Sequence, residues 1–565
     1  MEPLALSPDR RRADLDRLGA TTFDVLVIGG GVTGAGITLD AATRGLSVAM
    51  VEQRDLAAGT SSRSSKLIHG GLRYLEQLDL GLVTEALRER GLLLRELAPH
   101  LVRPVSFLFP LTHRVWERLY IGAGIQLYDR LGGSRHLPRH RHLTRHGAQR
   151  LIPSLRDDAL VGAIRYYDGQ VDDARHTMEL ARTAASYGAV TTTSTRVTGL
   201  LREGERVVGA TVRDQEGGHD IAVHARQVIN ATGVWTDQVQ ELVGRGRIRV
   251  RASKGIHLVV PRDRIHGDSG IILRTERSVL FVIPWGRHWI IGTTDTEWNL
   301  DLAHPAASAS DIQYLLDHIN RVLQVPLTHE DVEGVYAGLR PLLSGESDET
   351  SRLSREHAVV QTVAGLITIA GGKYTTYRVM AKDAVDVAAR NLPQRVPASV
   401  TERTPLLGAH GYHALWNRRD GLAREAGLHV GRVEHLLDRY GSLVTELLAL
   451  IADRPELGEP IEGADDYLAV EAVYAASHEG ALHLDDVLTR RTRISIETFD
   501  RGRAAARSVA PLVGEVLGWD EADVAREIEH YDARVAAELE SQQMPDDRTA
   551  DAARMGARDV RVGGG

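Results

Sequence analysis

The apolar, β-branched run Phe23–Ile28 leads directly into three glycines, the pattern of a strand buried on both faces of a parallel sheet. Small residues at helical spacing follow over Gly34–Arg44, and Leu46–Glu52 is a second apolar run, so the spacing predicts a strand–helix–strand unit. Residues 1–21 are polar and read as an extension ahead of it. Helical spacing returns over 82–98. Strand-like runs recur at Ala189–Thr193, Val207–Arg213 and Gln227–Ala231, and through most of Ile248–Trp298, where Pro284–His288 reads as a turn. Leu366–Ala370 is a further buried strand, followed by Gly371-Gly372-Lys373 and a helix through Ala389. After Pro393 a Pro-punctuated linker precedes a region of helical periodicity from about residue 409, and the polar, Gly-ended residues 545–565 are expected to fray. No repeat of solenoid period is present.

With 565 residues the chain is too long for one compact core and implies several domains. A net charge of −8 argues against nucleic-acid binding through global positive charge. The absence of cysteine excludes disulfides, Cys-ligated metal centres, thiolate nucleophiles and a Cys-linked flavin. Residues 1–20 hold no apolar core of signal-peptide length, so no signal peptide is expected among them, and no stretch reaches the roughly 20 apolar residues of a spanning helix. Only four Lys stand against 64 Arg, and Lys66, Lys254 and Lys373 each fall in a Gly- or Ser-rich motif, where a compact ammonium rather than a planar fork is retained.

Gly29-Gly30-Gly31-Val32-Thr33-Gly34 matches G-x-G-x-x-G between a strand and a helix. The first glycine permits the turn, Gly31 admits a pyrophosphate close to the backbone, and Gly34 lets the helix pack closely. The helix N-terminus then presents N–H groups and positive dipole to the phosphates. Glu52, 23 residues after Gly29, is placed to accept from a ribose hydroxyl. The motif alone leaves NAD and FAD open. Two further strand-to-helix turns, Asn230-Ala231-Thr232-Gly233 and Ala370–Thr376, favour FAD, because the second can aim a helix N-terminus at an electron-rich ring edge.

Taken in order, IGGGVTGAGITLDAATRGLSVAMVE, TSSRSSKLIHGGLRYLE, NATGVW, FVIPWGRHWIIGTTDTE, GLRPL and GGKYTTYR resemble the FAD-dependent glycerol-3-phosphate dehydrogenases, from about Asp24 to Leu407, and HLDDVLTRRTR resembles that family's helical capping domain. The resemblance implies an α/β fold: a Rossmann-like FAD-binding domain of the glutathione-reductase and D-amino-acid-oxidase type, an antiparallel β substrate domain and a C-terminal helical domain. The corresponding boundaries are an extension over 1–21, an FAD-dependent oxidoreductase region over 22–395, a capping domain over 396–545 and a flexible tail over 546–565. Within 22–395 the FAD-binding parts are about 22–100, 150–245 and 335–395, and the substrate parts about 101–149 and 246–334. It further implies oxidation of sn-glycerol 3-phosphate to dihydroxyacetone phosphate, non-covalent FAD, membrane quinone as acceptor, a homodimer, and peripheral attachment to the inner face of the cell membrane. The cofactor-binding set carried by the motifs is Gly29, Gly30, Gly31, Thr33, Gly34, Glu52, Gln53, Thr60, Ser61, Ser62, Ser65, Lys66, Leu67, His69, Gly70, Gly71, Ala231, Thr232, Gly233, Gly372, Lys373 and Thr375.

Such a substrate carries a dianionic phosphate, loses hydride from C2 and must surrender its C2 hydroxyl proton to a base. By similarity Arg340 and Arg355 hold the phosphate, with Arg73 and Tyr74 lining the same pocket, and Lys373 stands by the flavin or substrate. His69 and His257 are the two base candidates, since a neutral imidazole accepts a proton at physiological pH. His478 and His483 are spaced by five, against the four that H-E-x-x-H needs, so no metal site is read there. Asp295, Asp485 and Asp486 read as turn or helix-start residues.

Phe107, Phe109, Trp116, Tyr120 and Tyr128 alternate with Arg ahead of an acid-free run, Arg130–Arg150, that holds six Arg and four His. That is the composition of a surface that inserts aromatics and faces anionic lipid, and equally of a buried helix followed by a solvated basic loop. Three other readings stand beside the dehydrogenase: an oxidase that passes electrons to O2 and yields hydrogen peroxide, a flavoenzyme acting on amines or amino acids, and a catalytically silent flavin-fold scaffold. The pairing of Arg340 with Arg355 argues against the second, and the intact IHGGLRY, GLRPL and GGKYTT motifs against the third.

Overall fold

The computed structural model describes residues 5–71, 79–113, 115–132, 137–244, 246, 248–275, 279–344 and 357–561. Thr22–Ile28 is buried over nearly its whole length and lies parallel to Asp220–Asn230 on one side and Val48–Val51 on the other. Leu366–Gly371 and Val190–Thr192 extend this parallel core outward, and His357–Val363 closes one edge antiparallel. Asp220–Asn230 runs further than the apolar pattern predicts. Its first half alternates exposed and buried residues, because there it pairs antiparallel with Arg206–Asp214 rather than inside the parallel core.

The helix Val32–Thr43 is built of small residues because two helices, Asp173–Ser186 and Tyr377–Ala389, pack against it. A Cβ at Gly36 would come within 2.9 Å of the Tyr377 ring. The helix predicted over 82–98 is Leu80–Leu92, continued by a widened π turn over Leu93–Leu97.

A second, ten-stranded sheet is antiparallel except where Gly270–Arg274 runs alongside Val102–Leu111. Val250–Pro261 sits inside it between His288–Gly292 and Gly334–Leu343. Gly162–Val171 pairs with Val102–Leu111 along its full length, so that strand and Gly334–Leu343 belong to the second sheet rather than to the nucleotide-binding one. The C-terminal helices enclose two apolar cores of their own, one around Leu436, Val444 and Leu447 and one around Val487, Val509 and Val535. They dock on the α/β region through buried ion pairs. Asp55 receives Arg490 Nε at 2.6 Å and both terminal nitrogens of Arg491 at 2.7 Å, and Arg175 reaches Glu479 at 2.7 Å.

Three segments take a form that the sequence left open or misjudged. The extension 1–21 contains a helix, Pro8–Ala20, capped by Ser7, whose hydroxyl accepts from the Arg10 N–H, with Leu18 and Asp14 buried against Asp220–Asn230 and Val190–Thr192. The tail expected to be flexible folds back as the helix Asp547–Arg554, and beyond it Arg561 is paired with Asp486 at 2.7 Å. Of the two readings open for the aromatic segment, burial holds for Phe107, Phe109 and Tyr128, which share one core cluster between the second sheet and the helix Trp116–Leu131.

Candidate active site

The carboxyl ends of the parallel strands and one face of the second sheet enclose a cavity of about 570 Å³. Ligands of open α/β sheets bind at that end, where strand order reverses. The first wall is the glycine loop. Gly29 has φ +114°, and a Cβ there would stand 2.7 Å from the Ala231 carbonyl. At Gly34 it would stand 1.8 Å from the Gly29 carbonyl, so neither position admits a side chain. The Val32 N–H is taken by Ser61 Oγ at 2.9 Å, which fixes the 59–65 segment beside the helix start. Glu52 follows the second strand and accepts from the Gly30 N–H at 2.6 Å and the Arg54 N–H at 2.9 Å. Burial raises its carboxyl pKa against those two bonds.

These features fit a dinucleotide: backbone donors and a helix dipole where phosphates would lie, and a buried acceptor at a ribose. Gly371 and Gly372, at φ +78° and +79°, turn the chain from Leu366–Gly371 into Lys373 and the buried turn Tyr374–Thr376. Lys373 and Thr375 line the cavity, and Thr375 clips the His69 backbone, accepting from its N–H at 3.1 Å and donating to its carbonyl at 3.3 Å.

His69, His257, Arg340 and Lys373 therefore border one space. His257 is buried, stacked on Tyr336 with centroids 4.7 Å apart, and its Nε2 meets Ser65 Oγ at 2.9 Å. Burial, then Arg340 and Lys66, hold its pKa well below the usual histidine range, so the ring is neutral. The Arg340 guanidinium donates to Thr293 Oγ1 and to the Thr294 carbonyl, both at 3.1 Å, and stands 3.4 Å from Asp295. Asp295 thus orients an arginine at the cavity wall, a more specific role than the turn residue read from the sequence.

The cavity is also lined by Gly29, Gly31, Thr33, Glu52, Gln53, Thr60, Ser61, Ser65, Leu67, Ala231, Thr232, Gly233 and Gly372. Gly30, Gly34, Ser62, Lys66, Gly70 and Gly71 are not among the residues that line it. Lys66 in particular is fully buried in an ion pair with Asp173 at 2.8 Å, with its pKa lowered by burial and by Arg493, which makes it a structural cation rather than a ligand-facing one. Arg73, Tyr74 and Arg355 lie outside the described residues. Arg54, Arg63, Trp235 and Tyr336 were not singled out in the sequence. The two arginines flank the nucleotide motifs and Trp235 closes the NATGVW motif, so all three were legible by position, whereas Tyr336 carries no local signal.

Away from the cavity, the helix Trp116–Leu131 leaves Val115, Trp116, Leu119, Tyr120 and Leu127 exposed, with Trp116 58% and Leu119 71% accessible. Exposed Arg139 and Arg141 lie nearby in sequence, and Arg135 falls outside the described residues.

Residues 24–378 match the family described as FAD dependent oxidoreductase, and residues 399–524 match the C-terminal domain of alpha-glycerophosphate oxidase. The chain is 63% identical over 559 residues to glycerol-3-phosphate dehydrogenase 2 of Mycobacterium tuberculosis, spanning 99% of this chain and 96% of that one. It is 38% identical over 552 residues to the mitochondrial glycerol-3-phosphate dehydrogenase of Rattus norvegicus, spanning 94% and 75%. Among solved structures, glycerol-3-phosphate dehydrogenase from Bacillus halodurans complexed with FAD superposes with a TM-score of 0.78 at 28% identity, covering 94% of this chain and 97% of that one.

Proposed function

The chain belongs to the FAD-dependent glycerol-3-phosphate dehydrogenases, and on that premise we propose that it oxidises sn-glycerol 3-phosphate at C2 to dihydroxyacetone phosphate and passes the electrons to a membrane quinone. The observation that carries this reading is the convergence of the glycine loop, Glu52, His69, His257, Arg340 and Lys373 on one cavity. FAD, when bound non-covalently there, supplies the two-electron acceptor for the hydrogen that leaves C2.

The chain's own residues then have separate tasks. Arg340, held rigid by Thr293, Thr294 and Asp295, binds the substrate phosphate, with Arg73, Tyr74 and Arg355 contributing to the same anion site. As the C2–H bond breaks, the hydroxyl proton passes to a base. His69 is the better choice, because His257, kept neutral and far below its usual pKa by burial, has little driving force to take it. His257 instead fixes Ser65 through Nε2. Lys373 adds positive charge where negative charge collects in the reduced state.

No helix of the described residues is long and apolar enough to cross a membrane. The exposed apolar face around Trp116 and Leu119, followed by basic residues, supports peripheral attachment at the inner face of the cell membrane, where a quinone is accessible. A homodimer, an FAD-binding and substrate region over 22–395 and a capping region over 396–545 complete the proposal.

Anaerobic mixing of FAD-loaded protein with sn-glycerol 3-phosphate should bleach the flavin absorbance, and a quinone analogue should restore it faster than O2. A flavin left unbleached by this substrate refutes the substrate assignment. Faster reoxidation by O2 refutes the quinone assignment and makes the enzyme an oxidase.

A further inference from the structure

The segment after the last long helix runs back over the outside of the cavity wall. The Met544 carbonyl accepts from the Ala309 N–H at 2.8 Å, and Asp551 accepts from the Asp301 N–H at 3.3 Å. Asp547 pairs with the buried Lys254, and Ala550 is buried in a small apolar cluster with Val234, Trp298 and Leu339. Val234 and Leu339 themselves line the cavity, so this packing is the back of the wall. Together these contacts pin the loop between Trp298 and Ala309.

The pinned loop meets the arginines that flank the nucleotide motif. The Ala303 carbonyl accepts from Arg54 at 3.1 Å and from Arg63 at 3.4 Å. Asp559, six residues before the end of the chain, pairs with the other terminal nitrogen of Arg54 at 2.8 Å. Its carboxylate also faces His304 Nε2 at 3.3 Å, while His304 Nδ1 faces Arg554 at 3.3 Å. Burial lowers the His304 pKa to about 4, so the neutral ring donates to Asp559 and accepts from Arg554. Arg54 lines the cavity two residues after Glu52, and its side chain is thus gripped from both sides, by a loop carbonyl and by the chain terminus.

We propose that Asp559 is a positioning residue for the cofactor: the C-terminal segment latches Arg54 at the nucleotide end of the cavity and thereby sets how tightly FAD is held. The inference rests on the reading of the cavity as the FAD site. A flexible arginine loses rotamer freedom when it orders against a ligand, and one already held by Asp559 has lost it in advance.

The test is a double-mutant cycle in the full-length chain, with FAD affinity measured by titrating apoprotein and following the quenching of flavin fluorescence. Asp559→Asn should weaken FAD binding about tenfold, the order expected when the ordering of one rotamer-rich side chain is moved back into the binding step. Asp559→Glu should recover most of that loss. Arg54→Ala should weaken binding at least as much, and adding Asp559→Asn to it should cost nothing further. Equal losses from Asp559→Asn in both backgrounds, or no loss in the wild-type background, overturn the latch. Wild-type apoprotein that fails to bind FAD at all overturns the reading of the site itself.

Discussion

Replacing His483 with Gln, or raising the pH, removes a positive charge from the junction between the helical domain and the nucleotide-binding sheet. His483 Nδ1 meets Glu527 on the helix Glu521–Ser541 at 2.9 Å, and Nε2 meets Glu216, in the turn after Arg206–Asp214, at 3.0 Å. Glu216 is itself bound by Ser194 Oγ at 2.5 Å. Burial and Arg561 push the imidazole pKa down, but the two carboxylates outweigh them and raise it to about 9. The unfolded chain titrates near 6.5. Because the folded value is the higher one, the stabilisation is complete below pH 6.5, declines between pH 6.5 and 9, and is absent above. A shift of that size corresponds to about 3 kcal/mol. Urea unfolding followed by circular dichroism, for wild type and His483→Gln at several pH values from 6 to 9.5, isolates it, since other titrating groups cancel in the difference. The gap between the two proteins should fall by about 3 kcal/mol across that range. A gap that stays constant with pH refutes the charged-histidine account.

Other consequences are open to direct measurement. Gly34→Ala forces a Cβ onto the Gly29 carbonyl and should yield folded protein that purifies without flavin absorbance. Asp55→Ala leaves Arg491 buried without its carboxylate, while Arg490 keeps Asp485 and Asp486, and should lower stability by about 3–5 kcal/mol in chemical denaturation. His69→Ala should depress kcat by roughly 10²–10⁴-fold, whereas Arg340→Ala should chiefly raise KM for sn-glycerol 3-phosphate, and steady-state kinetics separates the two. Trp116→Ser with Leu119→Ser should abolish flotation with anionic vesicles while flavin reduction by substrate persists, and unchanged flotation removes that face from the membrane reading.

The nucleotide end of the cavity was legible because its chemistry is local. Gly29, Gly31, Gly34 and Glu52 act within one strand–turn–helix–strand unit, and at Gly29 and Gly34 backbone conformation or close approach excludes any side chain. The same holds for Gly371 and Gly372, whose left-handed backbone only glycine adopts freely. The apolar runs likewise placed Thr22–Ile28, Val48–Val51, Val190–Thr192, Arg206–Asp214 and Leu366–Gly371 to within a residue or two, but not Val102–Leu111, Gly162–Val171 or Gly334–Leu343. The ends of the chain were misjudged because their helices are polar along most of their length, and only a few positions, Leu18 and Ala550 among them, become buried against elements distant in sequence.

By itself the sequence determined the nucleotide-binding unit, the glycine-marked strand-to-helix turns, and His69, His257, Arg340 and Lys373 as residues that border the cavity. Only the tertiary structure decided their states and partners. It placed Lys66 on Asp173 and out of the cavity, kept His257 neutral by burying it against Tyr336, and assigned Asp295 to orient Arg340. It also brought Asp559 to Arg54, a pair 505 positions apart in the sequence. Protonation and ion pairing depend on burial and on neighbours a few ångströms away, and those distances come into being only when remote segments of the chain pack together.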